Sequence, residues 1–288
     1  MTDVLLLGST GMLGHAIKAT LEADHVDVVS TARNGVGGLS YDVCTHDISA
    51  CIAAAGSPSV IVNAIGIIKP HINEGDITSR QQAIEVNGLF PHRLALAAEA
   101  AGSHVIQIAT DCVYSGTEGG LTEGAPHDPH DVYGKSKSLG EPKSPNITHI
   151  RCSIIGPEDG RSTSLWEWVL NQAPGASITG FTDHVWNGVT TQAFARLCSG
   201  IVQSGWKRSG TFHFLPADVV TKAELVRCIA HSNGRDDIQI MDAPGPTPID
   251  RSISTMFPDL NNELWGIAGY KPTPTIEQMI IDAASIRI

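Results

Sequence analysis

Val4-Leu5-Leu6-Leu7-Gly8-Ser9-Thr10-Gly11-Met12-Leu13-Gly14 reads as one strand, one turn and the opening of one helix. Four consecutive apolar residues suit a strand buried on both faces, as in a parallel sheet. Glycines 8, 11 and 14 then form G-x-x-G-x-x-G ahead of a helix expected over Met12–Ala23. Glycine permits the tight turn and lets backbone approach a pyrophosphate at the helix N-terminus, where free N–H groups favour an anion. The spacing differs from the G-x-G-x-x-G of many dehydrogenases, and a turn with no ligand is the alternative reading. Its place between an apolar strand and a helix favours a dinucleotide site. The candidate contacts are Gly8, Thr10, Gly11, Met12, Leu13 and Gly14.

The same strand and helix rhythm continues outward. Apolar or β-rich runs at His25–Ala32, Ser59–Ile65, His104–Ala109 and Thr148–Ile155 alternate with helical stretches. One helix is expected over Ser79–Ala101, with Val86, Leu89, Phe90, Leu94 and Ala97 on one face and Gly102 as its stop. This alternation predicts an α/β, Rossmann-type doubly wound parallel sheet that binds ligands at the carboxyl ends of its strands. Residues 1–155 are read as that domain, with a returning strand and helix near 190–220. From Gly156 prolines punctuate the chain and all five tryptophans occur. Residues 156–288 are therefore read as mainly a smaller substrate-binding lobe. Trp166 and Trp168 are expected on a helix, and Trp186, Trp206 and Trp265 near turns.

In an NAD site an acidic residue about 20 positions past the glycines holds the ribose 2′-hydroxyl. Here the second strand ends Ser30-Thr31-Ala32-Arg33, and Asp27 falls too early, inside the strand. An arginine among hydroxyls suits a 2′-phosphate, so NADPH is expected ahead of NADH. An ordinary solvated arginine is the alternative. Asp42 and Val43 are candidates for the adenine.

The chain has 288 residues, 42% of them hydrophobic and 17% charged, enough to bury a sizeable core. Its net charge of −11 and lack of basic runs argue against nucleic acid or an anionic membrane as partner. The six cysteines form no C-x-x-C pair and the twelve histidines no H-E-x-x-H, so no metal is expected. Reduced cysteines, no signal-like leader and no apolar span of about 20 residues predict a cytoplasmic location. A homodimer is compatible with this reading.

Tyr133-Gly134-Lys135-Ser136-Lys137 contains Tyr-x-x-x-Lys, whose ends share one helix face. A cation beside a phenol favours the phenolate, so Lys137 is expected to lower the Tyr133 pKa from about 10. Together with Asn63-Ala64-Ile65-Gly66 and Ala109-Thr110-Asp111-Cys112-Val113-Tyr114-Ser115-Gly116, the chain resembles the extended short-chain dehydrogenase/reductases. More narrowly it resembles the dTDP-4-dehydrorhamnose reductase family. The likeness continues through Glu141, Arg151–Gly156 and Asp250-Arg251-Ser252.

That resemblance implies an NADPH-dependent reductase of a nucleotide-activated 4-keto-6-deoxysugar. Thr110 matches the hydroxyl that holds the substrate carbonyl, Tyr133 the proton donor, and Lys137 the lysine that holds the nicotinamide ribose. Asn63, Ala64 and Ile65 would line the cofactor, and Asn87 corresponds to an asparagine beside the site, with packing as its alternative. Substrate contacts are sought at Thr110, Asp111, Trp186 and Arg251, the last two with core packing or a surface ion pair as alternatives. Ala109 and Ile67-Ile68-Lys69-Pro70-His71 depart from the family pattern.

Three rivals stay open. A dehydratase would need a second acid, which Asp111-Cys112 lacks. An epimerase would retain NAD, which Arg33 opposes, and an epimerase/reductase would need an extra acid–base pair such as Cys112 or Lys69. Some relatives bind the dinucleotide as regulatory subunits, against which stand Thr110, Tyr133 and Lys137.

Overall fold

The computed structural model describes residues 3–158 and 164–286. The first half builds the frame in chain order: β1 (Val4–Leu7), α1 (Met12–Ala23), β2 (Val28–Ala32), β3 (Leu39–Ser40), α2 (Ile48–Ala54), β4 (Val60–Asn63), α3 (Ile77–Ala83), α4 (Phe90–Ala101), β5 (His104–Ala109), α5 (Val132–Leu139) and β6 (Ile147–Arg151). The second half adds β7 (Ile154–Ile155), α6 (Leu165–Leu170), β8 (Ser177–Phe181), β9 (His184–Trp186), β10 (Val189–Thr190), α7 (Thr191–Ser204) and β11 (Gly210–His213). It closes with β12 (Val220–Thr221), α8 (Lys222–Ser232), β13 (Gln239–Ala243), β14 (Ile249–Asp250), α9 (Pro258–Ile267) and α10 (Ile276–Ser285).

Seven strands form one sheet in the order β11-β6-β5-β4-β1-β2-β3. Every neighbouring pair in it is parallel. Successive side chains on a strand face opposite sides. Val4 and Leu6 accordingly join one core with Val60, Val62, Ile106 and Ile150, while Leu5 and Leu7 join the other with Ile61 and Val105. Both faces are apolar because both are covered, and burying each of these leucines contributes on the order of 2 kcal/mol.

The first core does not end at residue 155. It takes in Phe194, Leu197, Phe214, Trp265 and Ile280 from α7, the segment after β11, α9 and α10. Trp265 sits in the last turn of α9, just before the turn at Ala268 and Gly269. It is fully buried, stacks on Phe214 at 4.0 Å and donates from Nε1 to the Leu215 carbonyl at 2.6 Å. Smaller pairings, β8 with β13 and β12-β9-β14, build the rest of the second half.

The helix expected over 79–101 begins at Ile77 and runs as α3, a π-helical stretch at Ile84–Leu89, and α4. Pro91 opens α4 and lacks an N–H, which favours the wider turn just before it. Gly102 ends α4 at φ 72°, a left-handed cap that glycine reaches without strain. The strand expected over 148–155 divides into β6 and β7, with Cys152 and Ser153 between them facing the cleft described below.

At the first turn, a Cβ on Gly14 would stand 2.1 Å from the Gly8 carbonyl oxygen. Gly14→Ala is therefore expected to cost about 1–3 kcal/mol through overpacking. Urea unfolding is the measurement, and an unchanged midpoint would show that α1 shifts at no cost.

Candidate functional site

The strand order reverses between β1 and β4, and a cleft opens outside their carboxyl ends. It has two joined chambers of about 430 and 330 Å³. They share a wall made by Gly11, Ala64, Ile65, Gly66, Ile67 and His71.

The smaller chamber collects Gly8, Thr10, Arg33, Asp42 and Val43. Gly8 stands at φ 85°, with its N–H donated to Thr31 Oγ1 at 3.1 Å. A Cβ there would press within 2.9 Å of Ile65. Gly11 is the N-cap of α1 and offers no side-chain cap, and the first turn carries no acidic residue. Backbone N–H groups at this end thus remain available to an anion. The turn, the open space at Gly11 and the guanidinium of Arg33 fit a phosphorylated dinucleotide.

The larger chamber is lined by Met12, Leu13, Thr110, Asp111, Tyr133 and Lys137. Thr110 follows β5 and caps a short turn at Asp111–Val113. Its hydroxyl accepts from Cys112 N at 3.2 Å and donates to Asp111 Oδ1 at 3.1 Å. Tyr133 lines the same chamber as Thr110. Asp131 caps α5 by accepting from Gly134 N at 2.7 Å. A Cβ on Gly134 would stand 2.3 Å from the Cys112 carbonyl oxygen, so glycine there lets α5 lie directly on the Thr110 turn.

The ionisation of this group corrects one expectation. Burial pushes the Tyr133 hydroxyl well above its ordinary range, with Cys112, Asp111 and Asp131 acting in the same direction against the Thr110 hydrogen bond. Lys137 is not among the groups that shift it, and its Nζ donates to the Ile108 carbonyl at 2.7 Å. Burial also pushes the Lys137 ammonium down to about 8, against the opposing pull of Glu141. Desolvation outweighs the charge pairing read from the four-residue spacing.

Two asparagines act as braces. Asn63 Nδ2 donates to Gln107 Oε1 at 2.8 Å, and its Oδ1 accepts from Ile65 N at 3.1 Å. Asn87 clamps Ile67 through both its N–H and its carbonyl, each at 2.8 Å, and donates to Ser136 Oγ at 3.2 Å. Gly14 lies beneath the turn. None of these three is on a chamber wall.

Trp186 and Arg251 are also off the walls. Trp186 pairs with Val220 across β9 and β12 and packs against the core. Arg251 donates from Nη1 to the Tyr114 carbonyl at 2.6 Å, and its charge reaches Asp111 from behind the turn.

Sequence reasoning had left out several wall residues. Ser153, Glu158, Ser164 and Leu165 line the larger chamber, and His71, weighed as a border residue but read as an ordinary side chain, lines both chambers. The signal for His71 was its place in the atypical segment after β4. Lys69 of that segment pairs with Asp131 at 2.8 Å, and Glu74 Oε1 accepts from Val132 N at 3.0 Å. The loop is thereby strapped to the N-terminus of the Tyr133 helix. Among the described residues no cluster of three or more His, Cys, Asp or Glu is placed to hold a metal ion, and no helix is long and apolar enough to cross a membrane.

A parallel sheet reversing at β1 and β4, with a glycine turn at the reversal, defines a Rossmann-type α/β protein. The family model described as the RmlD substrate binding domain matches residues 1–258, and the chain belongs to that family. Methionine adenosyltransferase 2 subunit beta of Danio rerio is 28% identical over 244 residues, 79% of this chain and 72% of that one. dTDP-4-dehydrorhamnose reductase of Streptomyces griseus is 30% identical over 138 residues, 48% of this chain and 43% of that one. The structure of dTDP-4-dehydrorhamnose reductase from Bacillus anthracis in complex with NADP shares the fold at a TM-score of 0.79. It is 16% identical, with 98% of this chain and 99% of that chain covered.

The Lys137 shift carries a sign. Between pH about 8 and 10.5 the unfolded chain holds a proton that the folded chain lacks, so rising pH favours folding across that window. The full contribution is on the order of 3 kcal/mol. Lys137→Met is expected to remove this rise, as read from urea midpoints across the window. Parallel curves for the two proteins would mean that the ammonium is solvated.

Proposed function

We propose that this protein is an NADPH-dependent reductase of a nucleotide-activated 4-keto-6-deoxysugar. The observation that carries the reading is the meeting of Thr110, Tyr133 and Lys137 in one chamber joined to the glycine turn. Membership in the RmlD family supports the same reaction class. When bound, the cofactor supplies the hydride. The protein holds the sugar ketone beside Thr110 and Tyr133, whose hydroxyls stabilise charge growing on its oxygen. Tyr133 gives its proton to that oxygen, and Lys137 holds the ribose. Arg33 selects the 2′-phosphate, and Asp42 and Val43 border the adenine.

A second reading has a specific observation behind it. The relative matched over 79% of this chain is named as a subunit of methionine adenosyltransferase. On that reading the chain binds a dinucleotide and regulates a partner. A panel of nucleotide 4-keto sugars separates the two. Oxidation of NADPH, with the product alcohol read by NMR, supports the reductase. Tight NADPH binding without oxidation of any sugar supports the subunit.

Tyr133→Phe keeps the ring and loses the proton, so turnover is expected to fall about 10²-fold or more with NADPH affinity intact. Near-wild-type turnover would refute the assignment. Arg33→Ala is expected to weaken NADPH while leaving NADH little changed, as read from kcat/KM for each cofactor. Equal or better use of NADH by the wild type, unaltered in the variant, would overturn the NADPH preference.

A further inference from the structure

The segment that follows β4 is pinned at Ile67, Lys69 and Glu74. Asn87 clamps Ile67 by both its N–H and its carbonyl, each at 2.8 Å. Lys69 Nζ pairs with Asp131 at 2.8 Å, and Glu74 Oε1 accepts from Val132 N at 3.0 Å. Asp131 is itself tied into α5, since it accepts from Gly134 N at 2.7 Å. Between these anchors Lys69-Pro70-His71 forms a single tight turn, with His71 N donating to the Ile68 carbonyl at 2.9 Å. Proline fixes its own φ, which leaves the turn little freedom to swing.

What this turn presents is the His71 side chain, which borders both chambers. Gly11, Ala64, Ile65, Gly66 and Ile67 border both as well, but bring no polar side chain to the junction. The imidazole is exposed and has no hydrogen-bond partner among the described residues. The chain thus holds a free donor rigidly at the one place where the two chambers meet.

We propose that His71 binds the diphosphate of the dinucleotide at this junction. The proposal rests on dinucleotide binding, which the reductase and subunit readings share. A dinucleotide that reaches from Arg33, Asp42 and Val43 to Tyr133 and Lys137 brings its middle, the diphosphate, to the wall common to both chambers. The uncapped start of α1 offers backbone N–H groups there from Gly11 onward. His71 adds a side-chain N–H from the β4 loop. An imidazole suits this task in either charge state, because the neutral ring keeps one N–H donor and the cation has two.

The nearby cations are committed elsewhere. Lys69 is paired with Asp131, and Lys137 donates to the Ile108 carbonyl in the larger chamber. Arg33 lines the smaller chamber only. Among the described residues no lysine or arginine borders both chambers. In a chain of net charge −11, a diphosphate at the junction therefore depends on N–H donors, and His71 is the side chain that supplies one. The anchors at Asp131 and Val132 also join this residue to the helix that carries Tyr133.

His71→Ala tests the assignment in calorimetric titrations with NADPH, 2′-phospho-ADP-ribose and adenosine 2′-phosphate. The second ligand keeps the diphosphate and lacks the nicotinamide, and the third lacks both. The variant is expected to bind NADPH and 2′-phospho-ADP-ribose about tenfold more weakly than wild type, the loss of one hydrogen bond to a charged group. Its affinity for adenosine 2′-phosphate should be that of wild type. Unchanged binding of NADPH overturns the proposal. So does an equal loss for all three ligands, which would make His71 a support of the wall, and so does a loss for NADPH alone, which would place it against the nicotinamide. A wild type that binds NADPH but reduces no sugar defeats the reductase reading and leaves the His71 result standing. A wild type that binds none of the three removes the dinucleotide site and this proposal with it. A melting transition like that of wild type confirms that the variant is folded.

Discussion

The contact between the Gly8 carbonyl and Gly14 fixes the rest of the molecule. With no Cβ at position 14, the first turn of α1 rests on the end of β1. The N-terminus of α1 is therefore aimed across the carboxyl edge of the sheet, where β1 and β4 diverge. That divergence leaves a cleft which neither strand fills. Gly8, at φ 85° and against Ile65, brings the β4 loop to the same place. One steric constraint near the start of the chain thus sets the helix direction, the cleft floor and the wall between the chambers.

The opposite wall is set by α5, and its placement follows the same rule. Gly134 touches the Cys112 carbonyl, and a Cβ on Gly140 would stand 1.9 Å from the Asn87 carbonyl oxygen. Glycine at both ends lets a polar, eight-residue helix lie flat between the Thr110 turn and the π-helical stretch. Just beyond it, Glu141 meets buried Arg151 at 2.6 Å. The same guanidinium reaches Tyr114 Oη at 2.7 Å, His213 Nε2 at 2.9 Å and His127 Nε2 at 3.0 Å. Arginine has only donors, so both histidines accept through Nε2 and stay neutral. Burial pushes His213 down to about 4, in keeping with that role. A buried pair of this kind contributes little net stability when complete, but losing one partner strands a charge. Its structural effect is to tie α5, β6 and β11 into one body behind the site.

Much of the frame was legible because its signals are local. An apolar run, a glycine turn and a helix stop each act within a few residues, and β1, α1 and the Gly102 cap follow them closely. The site was less legible where placement depends on tertiary packing. Nothing near Trp265 in the chain announces that it fills the space beneath Phe214. Asn87 carries the same amide whether it faces a ligand or a loop, and here the π-helical stretch turns it onto Ile67. Arg251 is a fork suited to phosphate, yet β14 delivers it to the back of the Asp111 turn. His71 reached the cleft because Lys69 and Glu74 strap its loop to α5, a pairing between segments some 60 residues apart.

The protonation of Tyr133 shows why spacing alone misled. Tyr-x-x-x-Lys places a cation one turn from a phenol, and in water that would favour the phenolate. In the cleft both groups lose solvent, and desolvation presses each toward its neutral form. A phenol whose pKa is raised is a weaker acid, but it is fully protonated at neutral pH. It holds its proton until a stronger base is generated beside it, which describes a ketone oxygen during hydride addition. Oxidation of an alcohol would instead demand a phenolate at the start. On the proposed reading, the chamber thus starts the cycle with a protonated tyrosine, through burial rather than through the lysine.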